Sequence, residues 1–302
     1  MIISIKNNWS NAKELHNDFL NNIIIKFLSK TEKNTNINTK VKEFIEEIHH
    51  LLILSERSDI LESISIYTDF YQNLHTDEEK KSFKEKLKKI FNYNNFIVKK
   101  NSWDAYKLCA KSKTRTCPYC NQAYAFTLQK DKRGLRPTLD HFYSKEEYPH
   151  LALTLNNLIP SCYTCNSSLK GKIDFFKKNH LNPLWDEENL SFSLSSDDIT
   201  NLSEQINHLS DTLILNITPN TPCIMSKNSL DTFLLKERYN LLINEAISFS
   251  KAKMNYENAI TSGIDYFNNI DESTLIRFNV DNYQYYLLGK LFSDLHTQFS
   301  RT

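Results

Sequence analysis

Glycine is scarce in this chain, with 4 in 302 residues, and proline is little commoner at 7. Few positions can therefore take tight turns. That argues against a turn-rich β architecture and for helices joined by short connections. No run approaches the roughly 18 apolar residues that a membrane span requires. The N-terminus, Met1-Ile2-Ile3-Ser4-Ile5-Lys6, has no basic stretch ahead of an apolar core, so it does not read as a secretory signal. The six cysteines are unevenly spread: four form two CxxC pairs, and Cys109 and Cys223 stand alone. This pattern points to a metal binder in a reducing, cytoplasmic compartment rather than to a disulfide scaffold. What is present, 40% hydrophobic and 24% charged residues, is the balance of an ordinary globular protein.

The net charge of +1 conceals a strong division. Residues 99–178 hold 15 Lys and Arg against 6 Asp and Glu, a balance of +9, leaving 22 against 30, or −8, for the rest. The basic charge sits on the segment that carries the paired cysteines. Four thiolates and one zinc ion would reduce that charge by only two. A patch of this sign attracts a polyanion and speeds encounter with it.

The first hundred residues read as helices. Ser10 is expected to cap one running to about Leu28, with Leu15, Phe19, Ile23 and Phe27 at four-residue steps. Others are expected near Thr39–Leu54 and Asp59–Leu74. A fourth opens at Asp77-Glu78-Glu79 and closes at Lys86-Leu87-Lys88-Lys89, as the helix dipole prefers. The middle changes character. Ala123–Leu128 and Leu135–His141 read as strands around a turn at Lys130-Asp131-Lys132-Arg133-Gly134, and Tyr163–Lys172 suits a short helix. Beyond it, Leu190–Leu194 and Leu213–Ile217 read as a strand pair. One long helix is expected from Asn228 or Ser229 to about Ala259, and a last one over Tyr283–Phe299. The fold class is thus mainly α with a small central mixed module. Three segments result: a helical region over 1–98, a central domain over 99–185 and a mostly helical region over 186–302.

Cys117-Pro118-Tyr119-Cys120 and Cys162-Tyr163-Thr164-Cys165 have the spacing of two zinc knuckles. The 41 residues between them leave room for an inserted hairpin. Four thiolates leave no open position for water, so such a zinc ion is structural. Between the knuckles lies Asp140-His141 at a strand end. Neighbouring strand residues point to opposite faces, so the pair can serve one site only if the backbone turns there. A carboxylate suits a hard metal, and a neutral imidazole suits proton removal from water. Asn166 directly follows Cys165, and its amide oxygen suits magnesium. Asn157 lies nine residues earlier, in a loop.

The runs Leu139-Asp140-His141, Asn157-Leu158-Ile159-Pro160-Ser161-Cys162 and Cys165-Asn166-Ser167-Ser168-Leu169-Lys170 resemble HNH endonucleases of the ββα-metal class. More narrowly, Cys117-Pro118-Tyr119-Cys120-Asn121, Asp140-His141-Phe142-Tyr143-Ser144-Lys145 and Tyr148-Pro149 resemble the zinc-containing HNH proteins of bacterial anti-phage systems, such as the Septu type paired with an ATPase. The resemblance covers about 115–185. It is weak at Phe233-Leu234-Leu235-Lys236-Glu237-Arg238-Tyr239 and absent from the first hundred residues. It implies a ββα-metal nuclease with His141 as general base, Asp140 as metal ligand and Asn157 as the residue that orients the base. Asn166 falls at the final ligand position, which many relatives fill with histidine. Asparagine there favours Mg²⁺ or Mn²⁺. The expected reaction is phosphodiester hydrolysis leaving 5′-phosphates. Lys145, Lys170, Lys172, Arg133 and Arg136 are the candidates to contact nucleic acid. The expected partners are double-stranded DNA and a defence-system subunit such as an ATPase, with self-association open. RNA cleavage and a non-catalytic, zinc-stabilised binding module are the alternatives.

Overall fold

The computed structural model describes residues 2–30, 35–98, 102–130, 133–196, 202, 206, 212–262 and 270–300. Helices predominate, joined by small antiparallel strand pairs. The chain divides into two compact units, each drawn from separated stretches: Ile5–Lys113 with Ala125–Lys178, and Met1–Ser4 with Thr114–Tyr124 and Asn179–Thr302. Each unit draws on more than one of the three sequence segments. No helix among the described residues is long and apolar enough to cross a membrane.

The first unit begins with helices α1 (Lys13–Leu28), α2 (Asn36–Leu54), α3 (Arg57–Gln72) and α4 (Asp77–Ile90). The side chains of Thr35 and Thr76 accept the Asn38 and Glu79 amides, capping α2 and α4. In α3, Glu56 and Asp59 form a reciprocal capping box. Ser10 does not cap α1. Trp9 is buried with its indole N–H on the Leu158 carbonyl, and its own carbonyl receives the amides of Ala12 and Lys13. The chain turns there, and the helix starts two residues late. Phe44 is fully buried among Tyr67, Phe70, Phe83 and His150. Short helices α5 (Tyr93–Ile97) and α6 (Ala105–Ala110) follow.

The strands of this unit pair differently from the sequence expectation. Strands β1 (Leu128–Lys130) and β2 (Arg133–Leu135) form a hairpin exposed along its whole length. Asp131 and Lys132 of its expected turn lie outside the described residues. Strand β3 (Thr138–His141) instead pairs with β4 (Leu158–Ser161), in the register Asp140 to Ile159 and His141 to Leu158. The reason is burial. Leu139, Asp140 and His141 are all buried, and β4, buried at every position, offers a matching partner. A π-helical turn, Thr164–Lys170, follows β4.

In the second unit, strands β5 (Leu190–Ser196) and β6 (Leu213–Pro219) pair antiparallel and alternate buried with more exposed residues, as the sequence pattern requires. The long helix expected from Asn228 is three: α7 (Ile224–Thr232), α8 (Leu235–Asn240) and α9 (Ile243–Thr261). Leu234 is left-handed at φ 48°, and the break lets Phe233 stack on Tyr119 while Leu235 and Tyr239 stay buried. After α10 (Glu272–Ile276), the last helix, α11 (Gly289–Phe299), starts later than expected. Its lead-in is a 3-10 turn and a left-handed Leu288, whose amide donates to the Asn121 carbonyl. A Cβ at Gly289 would overlap the Tyr283 carbonyl, so the residue there has to be glycine.

Two core histidines of the helical unit make it acid-sensitive. His16 donates from Nε2 to the Leu153 carbonyl at 2.7 Å and accepts the Trp103 indole N–H on Nδ1. Burial pushes it down to about 4. Burial likewise pushes His150, whose Nδ1 has no partner, down to about 3. Both are held neutral in the fold and would charge near pH 6.5 once unfolded. Their contribution is therefore complete above about pH 6.5 and is lost as pH falls toward 3–4. Melting temperature should drop steadily between pH 7 and 4.5. A flat profile over that range would contradict the burial of these rings.

Candidate functional site

The first knuckle is a tight turn. The Asn121 amide donates to the Cys117 carbonyl at 2.7 Å, and Asn121 is left-handed at φ 53°. Its side chain ties the turn to Thr116 and to the Tyr286 carbonyl, and the Pro118 carbonyl accepts the amides of Ile2 and Ile3. The Gln122 amide points at the Cys120 sulfur, and the Cys165 amide points at the Cys162 sulfur. The sulfurs of Cys117, Cys120, Cys162 and Cys165 all lie within 4.8 Å of one another. A tetrahedral zinc site with Zn–S bonds of about 2.3 Å has edges of roughly 3.8 Å. The four cysteines are thus close enough to hold one zinc ion after a small contraction.

A cleft of about 740 Å³ opens beside β3 in the helical unit. Asp140, His141, Asn166, Lys145, Lys172 and Arg136 all line it. Arg133 does not; it stays on the exposed hairpin. Asn157 does not either, and its buried position shows why. Its amide donates to the Tyr143 and Leu151 carbonyls at 3.0 and 3.1 Å, and its side-chain oxygen accepts the Tyr143 amide at 2.8 Å. Asn157 therefore fixes the chain just beyond His141 from behind.

The His141 ring is held on two sides. Its Nε2 lies 3.0 Å from the Ala152 carbonyl, which can only accept, so the proton is on Nε2 and the lone pair is on Nδ1. Tyr93 packs edge-on at 4.4 Å between centroids and donates its hydroxyl to the Leu139 carbonyl. Burial, reinforced by the Lys145 and Lys170 charges and opposed by the Ala152 carbonyl, pushes the imidazole down to about 3. The ring is neutral at physiological pH. Helix α4 braces the following loop through Lys88 to Glu146 at 2.9 Å and Lys84 to Glu147 at 3.8 Å. Lys88 and Lys145 hold the Glu146 carboxyl down at about 2.

Asp140 is buried and bound by a cation from the chain itself. Lys170 Nζ lies 2.7 and 2.9 Å from its two oxygens and also reaches the His141 and Phe142 carbonyls. Lys170 was expected at a phosphate; it is instead buried at 3% exposure, because the carboxylate beside β3 needs a counter-ion. Burial lowers the Lys170 pKa, and Asp140 opposes that fall. Lys145 is half-buried, with its amine 3.0 Å from Glu146, whereas Lys172 is exposed. Asp140 and Asn166 are two hard-oxygen donors facing one cleft, a set that suits Mg²⁺ with several waters, once Asp140 is released from Lys170. Sequence reasoning missed Tyr93 and the pairing role of Lys170. The Tyr93 contact carries no sequence signal, since the residue lies 48 positions from His141; Asp140 in a buried strand was itself a cue that a cation must approach.

No family model, curated protein or solved structure matches this chain.

Replacing Cys117 or Cys165 by serine should release zinc and lower the solubility and melting temperature of the protein. Elemental analysis of the wild-type protein is expected to find about one zinc per chain. Less than about a fifth of that would rule out the four-thiolate site.

Proposed function

We propose that this protein is a metal-dependent HNH-type endonuclease that hydrolyses phosphodiester bonds in double-stranded DNA, as an effector of a bacterial anti-phage system. The observation that carries this reading is the placement of a neutral histidine, an acidic oxygen donor and an amide oxygen donor on one cleft. The strand pair β3–β4 followed by the turn Thr164–Lys170 is the order that a ββα-metal module would need. The basic balance of residues 99–178 supports a polyanionic substrate.

In this mechanism His141 removes a proton from water through Nδ1, while its Nε2–H stays on the Ala152 carbonyl. Tyr93 and the loop fixed by Asn157 keep the ring in place, and placement matters because an error of about 1 Å can cost on the order of a hundredfold in rate. A Mg²⁺ or Mn²⁺ ion held by Asp140 and Asn166 would stabilise charge on the phosphate and on the leaving 3′ oxygen. Lys172 and Arg136 line the cleft and can meet backbone phosphates. Zinc on the four cysteines would act structurally. An ATPase or another defence subunit is the proposed partner. The Lys170–Asp140 pair favours one second reading, a zinc-stabilised nucleic-acid-binding module that does not cleave.

A plasmid-nicking assay with and without EDTA separates these two, and matched RNA and DNA substrates identify the nucleic acid. His141→Ala should lower cleavage by about a hundredfold or more while zinc content and circular dichroism stay unchanged. Activity within about threefold of wild type would remove His141 from its role.

Asn166 admits a sharper comparison. Asn166→Ala should lose metal-dependent cleavage and keep its structural zinc. Asn166→His should retain activity with a preference moved from Mg²⁺ toward Mn²⁺, Co²⁺ or Ni²⁺. A metal titration of the three proteins reads both effects. Unchanged Mg²⁺ dependence in Asn166→Ala would mean that Asn166 holds no metal.

A further inference from the structure

Four oxygens converge on the Lys170 amine: Asp140 Oδ1 at 2.7 Å, Oδ2 at 2.9 Å, the Phe142 carbonyl at 3.2 Å and the His141 carbonyl. An ammonium group has three hydrogens, so this shell holds more oxygens than the amine can serve one to one. A carboxylate and backbone carbonyls around one point are the donors that hard cations take from proteins. The amine also lies 4.4 Å from the Phe175 ring centroid, which seals the cage on an apolar side. Lys170 ends the same π-helical turn that carries Asn166, and the Gly171 amide closes it onto the Asn166 carbonyl at 3.0 Å. One short element thus supplies both a proposed metal ligand and the cation that now holds the other ligand. Single π-helical turns are rare and are often found at functional sites.

We propose that Lys170 is a tethered cation that occupies Asp140 in the resting protein, and that a divalent ion must displace it before Asp140 can bind metal. The proposal rests on Asp140 being a metal ligand. In the resting state the ammonium neutralises a carboxylate that could not otherwise be buried. Metal and ammonium then compete for the same oxygens, so Lys170 sets the metal concentration at which the cleft becomes competent. The displaced amine has somewhere to go, because Lys170 lines the cleft beside Lys172, where a phosphate would meet it. The ordinary alternative is a fixed structural ion pair that merely orients Asp140, with metal binding unopposed.

The two differ in the sign of one measurement. Mn²⁺ binding by electron paramagnetic resonance is compared in the zinc-loaded wild type, Lys170→Met, Asp140→Asn and the double variant. Removing the competing charge should tighten Mn²⁺ binding by about tenfold or more in Lys170→Met. Mn²⁺ should also raise the melting temperature of that variant more than that of wild type. Both variants lacking Asp140 should lose the site. Should Lys170→Met fail to fold, Lys170→Gln, which keeps a donor for Asp140 without the charge, is expected to show the same tightening. Affinity within threefold of wild type, or weaker, overturns the proposal, as does unaltered binding in Asp140→Asn. Plasmid nicking by the wild type is read separately: tightened Mn²⁺ binding without any cleavage would keep the tethered cation and discard the nuclease.

Discussion

A buried carboxylate must have a cation, and at Asp140 that requirement organises the site around it. The side chain is 4% exposed, and its partner Lys170 is 3% exposed. Taking both charges out of water costs several kcal/mol per ion, and only close geometry offsets it. The amine therefore binds both carboxylate oxygens and the two carbonyls that follow along the chain. These contacts draw the π-helical turn against the end of β3 and set where the backbone turns after His141. Loss of either partner would strand the other, a penalty of about 3–5 kcal/mol.

His141 illustrates a related compromise. At the last position of the strand its ring enters a site too dry to carry charge, and burial drives it down to about 3. That ensures an unprotonated Nδ1 at neutral pH but makes the resting ring a weak proton acceptor. In the proposed reaction an anionic phosphate entering the cleft would favour the imidazolium and strengthen the base at the moment it is needed. The supports of the ring are neutral: the Ala152 carbonyl, the edge of Tyr93, and a loop fixed by Asn157. Besides the Lys170–Asp140 pair, the charges nearby lie on Lys145, Glu146 and Lys88, which form a ladder from the loop to α4.

Short-range chemistry was legible in the sequence. The CxxC spacing depends on three consecutive bonds of chain, and the four sulfurs do lie together. Helices α2, α3 and α4 announce themselves through caps and periodicity, and α4 also through its end charges, each confined to a turn or two of chain. The alternation over β5 and β6 is equally local, and so is the excess of positive charge between residues 99 and 178.

What the sequence could not decide was which distant group would satisfy a local need. It marked Leu135–His141 as a strand paired with Ala123–Leu128; burial of three successive residues instead selected β4 as the partner of Thr138–His141. It offered one continuous helix after Asn228, and the packing of Phe233 on Tyr119 broke it at Leu234. It placed Lys170 on the surface beside other lysines, whereas the buried carboxylate 30 residues away drew it inside. Propensity and spacing act over a few residues and are written in the chain. Desolvation is a property of a place in the folded molecule, and only the tertiary structure assigns each buried charge its partner.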